Sequence, residues 1–338
     1  MNLQVKLNSK NKTSRIIWFV VILLVGVFLP FLLKLIGSTT FLATEIMIFA
    51  IFAVGFNLLI GFTGILSFGH AAWLGMASYA CALFQLNFTP NSILLPMLFA
   101  IVFTTGVGVI IGRLIIKTRG IYFAYITIAF GQLIFFLVFR WTSLTGGENG
   151  LGGIKRVPVL NFINIIPEYN FYLFVFIIFL VLYLLMRVVV NSPFGRVLQA
   201  IRENRTRAIF VGYNVKSYEL AAFIISVFYA SIAGSLYVFL LKYAFPESLH
   251  WSASGEVVIM TLIGGMHYLF GPVIGAFIVT FLKDFVSSFT DRWMIVLGII
   301  FIIFVLGSPE GILGFFKKKK ARNPFKLRKK SKKESVAS

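Results

Sequence analysis

Side chains able to do chemistry are sparse in this chain, and their spacing assembles no reaction centre. Three histidines, one cysteine and 11 carboxylates are spread over 338 residues. A metal site needs several His, Cys or carboxylate ligands at compatible spacing, and His70, His250 and His267 form no motif with one another or with Cys81. There is no phosphate-cradling G-x-x-x-x-G-K-[ST], no nucleophile elbow and no His-Glu-x-x-His. These residues predict a non-catalytic chain without a cofactor, so any energy from ATP must arrive through another polypeptide. Cys81 has no partner for a disulfide and reads as a packing residue. His70, in an apolar setting, fits a hydrogen-bonded structural ring better than a proton or metal site. Glu256 opens one apolar segment, and Asp284 stands late in the next beside Lys283. A charge at mid-membrane costs about 2.5–3.5 kcal/mol on insertion scales, so Glu256, and less so Asp284, are candidates for function if they lie deep.

The elements that would hold these groups follow from composition. With 59% hydrophobic and 12% charged residues, 39 Phe and a mean hydropathy of +0.94, the exterior must face lipid. The fold class expected is all-α: a polytopic membrane protein of about ten transmembrane helices, some short or broken. At roughly twenty apolar residues per crossing, spans are expected at 16–36, 41–60, 69–86, 93–111, 120–139, 171–190 and 218–241. Shorter ones follow at 255–270, 271–289 and 293–307. Residues 16–316 form one membrane domain, between an N-terminal tail at 1–15 and a basic, disordered tail at 317–338. The first span lacks a small-x-small cleavage site and reads as retained.

The 31 Lys and Arg against 11 Asp and Glu give a formal charge of +20, which in a soluble protein would suggest nucleic acid. Here the basic residues cluster just outside apolar runs, at 6–15, 113–119, 187–216 and 317–333, and so report orientation instead. An even number of crossings puts both termini and every large basic cluster in the cytoplasm, and leaves 141–170 outside.

Three features interrupt the apolar pattern. Glycines break the segments around 61–70 and 264–272, including Ser67, Gly69 and His70 in the first and Gly264 and Gly265 in the second. Broken helices near a solute path are the functional reading of such segments, and close helix packing by small residues is the structural one. The segments also echo each other weakly, as LIGFTGILSFGHAAWLGM and LIGGMHYLFGPVIGAFI. A polar, flexible loop carries Thr145, Gly146, Gly147, Glu148 and Asn149, whose hydroxyl, amide and carboxylate suit a polar solute or a delivering protein. Residues 191–217 form the largest internal polar stretch. Their core GRVLQAIRENRTRAIFVG reads as one short amphipathic helix, offering Val197, Leu198, Ile201 and Phe210 to a docking partner or, alternatively, to a lipid surface.

GILSFGHAAWLGMASY, RGIYFAYITIAFGQLIF, SLTGGENGLGG, SPFGRVLQAIRENRTRAIFVGYNV and IGGMHYLFGPVIGA occur in that order. Together they resemble the permease subunits of ABC importers for branched-chain amino acids, over residues 41–315. The resemblance implies a bacterial cytoplasmic-membrane permease working with a second, related permease, two ABC ATPase subunits and an extracytoplasmic solute-binding protein. It also implies that Gly195, Arg196, Ala200, Ile201, Arg202, Glu203, Asn204 and Gly212 belong to the cytoplasmic segment presented to the ATPases. Arg205 and Arg207 depart from the acidic or small residues expected there. Family members for urea, short amides and other amino acids share the pattern, so leucine, isoleucine and valine are the first choice among several solutes. An ion-coupled carrier would want an intramembrane carboxylate or His relay, and a membrane enzyme a convergent set of reactive groups; the sparse titratable residues favour neither.

Overall fold

Lipid offers a backbone no hydrogen-bond partner, so apolar runs of this length close their hydrogen bonds within themselves as helices. The computed structural model describes residues 26–118, 120–159, 164–290, 292–307 and 311–314. The expected tails at 1–15 and 317–338, and residues 16–25 of the first span, lie outside the described residues. In chain order the helices are α1 (Gly26–Leu35), α2 (Thr40–Asn57), α3 (Ala71–Asn87), α4 (Leu94–Ile115), α5 (Ile121–Arg140) and the single turn α6 (Thr142–Thr145). There follow α7 (Glu168–Asn191), α8 (Pro193–Glu203), α9 (Arg205–Phe210), α10 (Val215–Leu241), α11 (Trp251–Gly264), α12 (Gly271–Ser287) and α13 (Trp293–Gly307). Leu151 and Ala244 form an isolated antiparallel bridge.

Among the described residues, five helices are long and apolar enough to cross a membrane: α2 with its continuation to Thr63, α4, α5, α7 and α10. An evenly apolar helix has no face to offer water and is covered either by protein or by lipid. Accordingly 94% of the apolar window of α2 and 72% of that of α10 are buried, against 28% for α4 and 22% for α5 at the periphery. α7, α10, α11 and α12 pack around α2, while α3 and α4 pack against α10. Where α3 crosses α10, a Cβ on Gly234 would stand 2.0 Å from the Leu74 carbonyl oxygen, and the Ser78 hydroxyl donates to the Gly234 carbonyl at 2.8 Å.

One span departs from expectation. The helix expected over 255–270 is α11, Trp251–Gly264. It starts earlier because His250 caps it, the ring Nδ1 accepting from Ser252 N at 3.4 Å, and it stops earlier because Gly265 turns at φ 108°.

The break after α2 shapes the centre of the molecule. Leu58–Thr63 continues α2 as a π-helical turn, a form that often marks functional positions, and Gly64 ends it at φ 77°. Residues 64–70 then run back into the bundle without forming a helix, and α3 begins only at Ala71. His70 stacks on Phe52, with ring centroids 5.7 Å apart, and Phe52 lies about three turns back along α2 from Thr63. Irregular backbone at such depth survives only where protein satisfies it, and here three neighbouring helices supply hydroxyls. Phe68 N donates to Thr127 Oγ1 on α5 at 3.2 Å, and Ala71 N donates to Ser254 Oγ on α11 at 2.8 Å. Ser226 Oγ on α10 meets His70 Nε2 at 2.9 Å. Gly69 allows α5 to approach, since a Cβ there would stand 1.8 Å from the Thr127 carbonyl oxygen.

Removing the α5 hydroxyl tests this support. Thr127→Val keeps the shape but leaves Phe68 N–H without its acceptor, at a cost of about 1–3 kcal/mol. Thermal unfolding of the detergent-purified protein should show a lowered midpoint for Thr127→Val and a near wild-type one for Thr127→Ser; equal midpoints would contradict the assignment.

Candidate functional site

The polar stretch at 191–217 is folded onto one end of the bundle. Ser192 closes α7 and caps α8, its Oγ accepting from Gly195 N at 3.4 Å with Pro193 in the first turn. Gly195 is buried against Val190, whose carbonyl oxygen would lie 2.2 Å from a Cβ. Along α8, Val197, Leu198 and Ile201 face inward, while Arg196, Gln199, Ala200 and Glu203 face outward. Two expectations are corrected here. The single helix is two, because Asn204 turns extended and caps α9, its Oδ1 accepting from Arg207 N at 2.9 Å. The apolar residues expected to dock a partner are taken up internally: Leu198 joins the main core, and Val197 and Ile201 pack with Ala208 and Val215. An amphipathic helix lying across a bundle end buries its apolar side against that bundle. Phe210, 86% exposed, is the expected docking residue left outside, together with its neighbours Ile209 and Val211. Gly212, at φ 98°, turns the chain into α10.

Two arginines tie these helices down. Arg202 donates through Nη1 to the Gly61 carbonyl, and its Nη2 lies 3.0 Å from His267 Nε2. One side chain of α8 therefore holds both glycine breaks. These breaks also touch each other: a Cβ on Gly61 would stand 2.2 Å from the Met266 carbonyl oxygen, and Asn57 Nδ2 donates to the Tyr268 carbonyl at 3.3 Å. Arg205 forms a two-pronged bond with the buried Glu219, at 2.7 and 2.8 Å, fixing α9 to the start of α10. That hydrogen bond holds the Arg205 guanidinium above its ordinary pKa. The two echoing sequences do different work: the first re-enters the bundle, whereas Gly264 admits the Gly271 carbonyl, 1.8 Å from where a Cβ would lie, and Gly265 makes a tight turn into α12.

Beside this junction lies a cavity of about 590 Å³. Its walls are the re-entrant segment, with Thr63 and Phe68, the start of α5, with Ile121 and Tyr125, and the charged groups of Arg202, Arg205 and Glu219.

At the opposite end, the loop after α5 is folded and not the flexible coil expected. The Thr145 hydroxyl lies 2.5 and 2.7 Å from the carbonyl oxygens of Val138 and Trp141, and Gly146 and Gly147 both take positive φ. Thr145 and Gly147 are buried, and Glu148 and Asn149 are exposed. Arg156 anchors the following segment by donating to the carbonyls of Phe239 and Leu240, both at 2.7 Å, with its guanidinium 4.3 Å from the centre of the Phe171 ring.

Glu256 lies in neither place. Its carboxylate pairs with Lys283 Nζ at 3.2 and 3.3 Å in a small cavity of about 170 Å³ between α2, α3, α10, α11, α12 and α13. Asp284 is exposed. The sequence-selected residues are thus distributed along the depth of the bundle: Thr145–Asn149 at one end, Glu256 below it, Ser67, Gly69 and His70 at the centre, and Gly264 and Gly265 beside α8. Sequence reasoning missed Glu45, which interacts with Glu256 and Lys283, and Glu219. Both carried a signal, since Glu45 is the one charge within residues 41–60 and Glu219 opens a span. Thr127, Ser226 and Ser254 carried none, because single hydroxyls are common in such helices.

The permease component family of branched-chain amino acid transport systems matches residues 38–305. Over 323 residues the chain is 27% identical to the high-affinity branched-chain amino acid transport system permease protein LivM of Escherichia coli (strain K12), covering 88% of this chain and 74% of that one. The LivM protein of Salmonella typhimurium gives the same figures. The probable branched-chain amino acid transport permease protein LivM of Methanocaldococcus jannaschii is 26% identical over 217 residues, 61% of this chain and 60% of that one. No solved structure matches significantly. The matched region takes in both glycine breaks, α8 and α9 with their arginine ties, and both cavities, and on that match the chain belongs to the permease component family of branched-chain amino acid transport systems.

Proposed function

We propose that this chain is the permease subunit of an ATP-driven importer in the bacterial cytoplasmic membrane. It passes leucine, isoleucine or valine inward with a related second permease, two ABC ATPase subunits and an extracytoplasmic binding protein. The α8 end is cytoplasmic: Arg113, Lys117, Arg187, Arg196, Arg207 and Lys216 gather there, as positively charged residues do on that face of a membrane. Exposed Glu148 and Asn149, at the other end, meet the binding protein that delivers solute. The outward face of α8 and the apolar triplet Ile209, Phe210 and Val211 meet the ATPases.

The observation that carries this reading is the reach of Arg202 from α8 to both Gly61 and His267. When the ATPases close, α8 moves, and Arg202 draws the π-helical turn of α2 and the α11–α12 turn with it. The cavity of about 590 Å³ between the re-entrant segment, the start of α5 and α8 then changes shape. Solute gains or loses its exit without any bond to it being made or broken, as in alternating access generally.

Two variants separate transmission from docking. Arg202→Ala cuts the tie while leaving the outward face of α8 intact. In liposomes containing the full importer, ATP hydrolysis should persist while solute uptake falls by roughly tenfold, an ordinary size for a coupling between sites. Uptake that keeps pace with hydrolysis would remove Arg202 from transmission. The double change Arg196→Glu with Glu203→Lys reverses two exposed charges. Pull-down of the ATPases by the permease should weaken by roughly threefold, the scale of exposed ion pairs, with the unfolding midpoint of the permease unmoved; undiminished capture would place the ATPases elsewhere.

A further inference from the structure

The cavity around Glu256 lies at the end of the bundle away from α8. Phe49, which lines it from α2, is about 18 Å along that helix from Gly61. An apolar wall comes from Phe49, Phe52 and Leu74, and a polar wall from Glu247, Ser252, Glu256 and Lys283. Its volume of about 170 Å³ suits one amino acid and is too small for a peptide.

The charges here are unbalanced in a telling way. Glu256 and Lys283 form an ion pair at 3.2 Å, and Glu247 adds a second carboxylate to the lining, with Tyr237 of α10 completing the group. Charges within a membrane span are costly and ordinarily mark a solute or ion path. A pair alone would be neutral, whereas two carboxylates with one lysine leave room for one more positive group. An α-amino acid supplies that group, and with it a carboxylate for Lys283 and, in the branched-chain case, an apolar side chain for the phenylalanines. Ala71, the first residue of α3, also lines the cavity, and its N–H is held by Ser254 of α11. A molecule bound here therefore touches the end of the re-entrant segment.

We infer that this cavity is a binding site within the permease for the zwitterionic head of an α-amino acid, with Lys283 facing its carboxylate and Glu247 and Glu256 its ammonium. The inference rests on the proposal that the solute is an amino acid, and the test keeps the two apart. Uptake of leucine by the complete wild-type importer in liposomes tests the solute; no uptake of leucine, isoleucine or valine sinks that reading and the site with it. Thermal unfolding of the purified membrane complex, without the binding protein, then tests the site. Millimolar leucine should raise the unfolding midpoint, while 4-methylpentanoate, which lacks the ammonium, and 3-methylbutylamine, which lacks the carboxylate, should not. In both Glu247→Gln and Lys283→Gln, the leucine concentration giving half of the shift should rise by about tenfold or more. Should one variant fail to assemble, the other carries the test, and Ser252→Ala gives a third in which the charges are kept and a smaller rise is expected. An importer that takes up leucine but whose membrane complex shows no leucine-induced shift lacks this site. The site is equally excluded by shifts that survive unchanged in the charge variants, or that the two half-analogues reproduce.

Discussion

A backbone amide in the interior of a membrane protein must find its partner within the protein, and the arrangement of this molecule turns on one place where the helix cannot provide it. Between Thr63 and Ala71 the chain runs back into the bundle without helical hydrogen bonds. The Thr127 and Ser254 hydroxyls take up the N–H groups of Phe68 and Ala71, and Ser226 holds the His70 ring. These hydroxyls come from α5, α11 and α10, so the segment can lie where it does only if those three helices are already in place around α2. Its conformation is accordingly a sensitive report of how they sit. A small displacement of α5 or α11 would strand a buried amide, which in an apolar setting is costly enough to favour discrete arrangements over gradual ones.

Both ends of the molecule have a grip on this segment. From the α8 end, Arg202 holds Gly61, in the turn immediately before the segment begins, and contacts His267 in the turn between α11 and α12. From the other end, the small cavity with Glu247, Glu256 and Lys283 is lined by Ala71, where the segment finishes. In the proposed importer, a force applied by an ATPase and the arrival of a solute thus converge on the same few residues. This gives a physical route for coupling that needs no chain of intermediates across the lipid-facing helices α4 and α5. Arg205, which departs from the residues expected at its position, is accounted for by Glu219: the pair fixes α9 to α10, and the junction around Arg202 is then built on a rigid base.

Helices were legible in the sequence wherever hydrophobicity decided the outcome. The spans expected at 41–60, 93–111 and 218–241 appear as α2, α4 and α10, and α13 occupies the expected 293–307. The boundaries of α11 were not legible, because a histidine cap and a glycine turn set them, and neither alters the hydropathy of residues 251–270. The division between α8 and α9 was hidden for a similar reason, since Asn204 is polar whether it continues a helix or caps the next one. Glycines at 61–70 and 264–272 stood out in the sequence, but their different uses did not: re-entry depends on hydroxyls far away in the chain, and the crossing of α11 with α12 depends on which carbonyl comes close. The basic character of residues 191–217 pointed to an interaction surface. Which side of that helix faces out, however, follows from the bundle beneath it, and only Phe210 of the four apolar residues remains on the surface.

The most direct test of the central claim is a pair of distances measured by pulsed electron resonance in the assembled importer, with and without bound ATP. Spin labels at Gln199 on α8 and Leu269 in the α11–α12 turn should keep their separation within about 2 Å, because Arg202 makes these elements one body. Labels at Gln199 and Lys117, across the large cavity, should change their separation by more than that when nucleotide binds. If instead α8 shifts relative to Leu269 while the distance to Lys117 stays fixed, α8 does not carry the two glycine breaks with it, and the account fails.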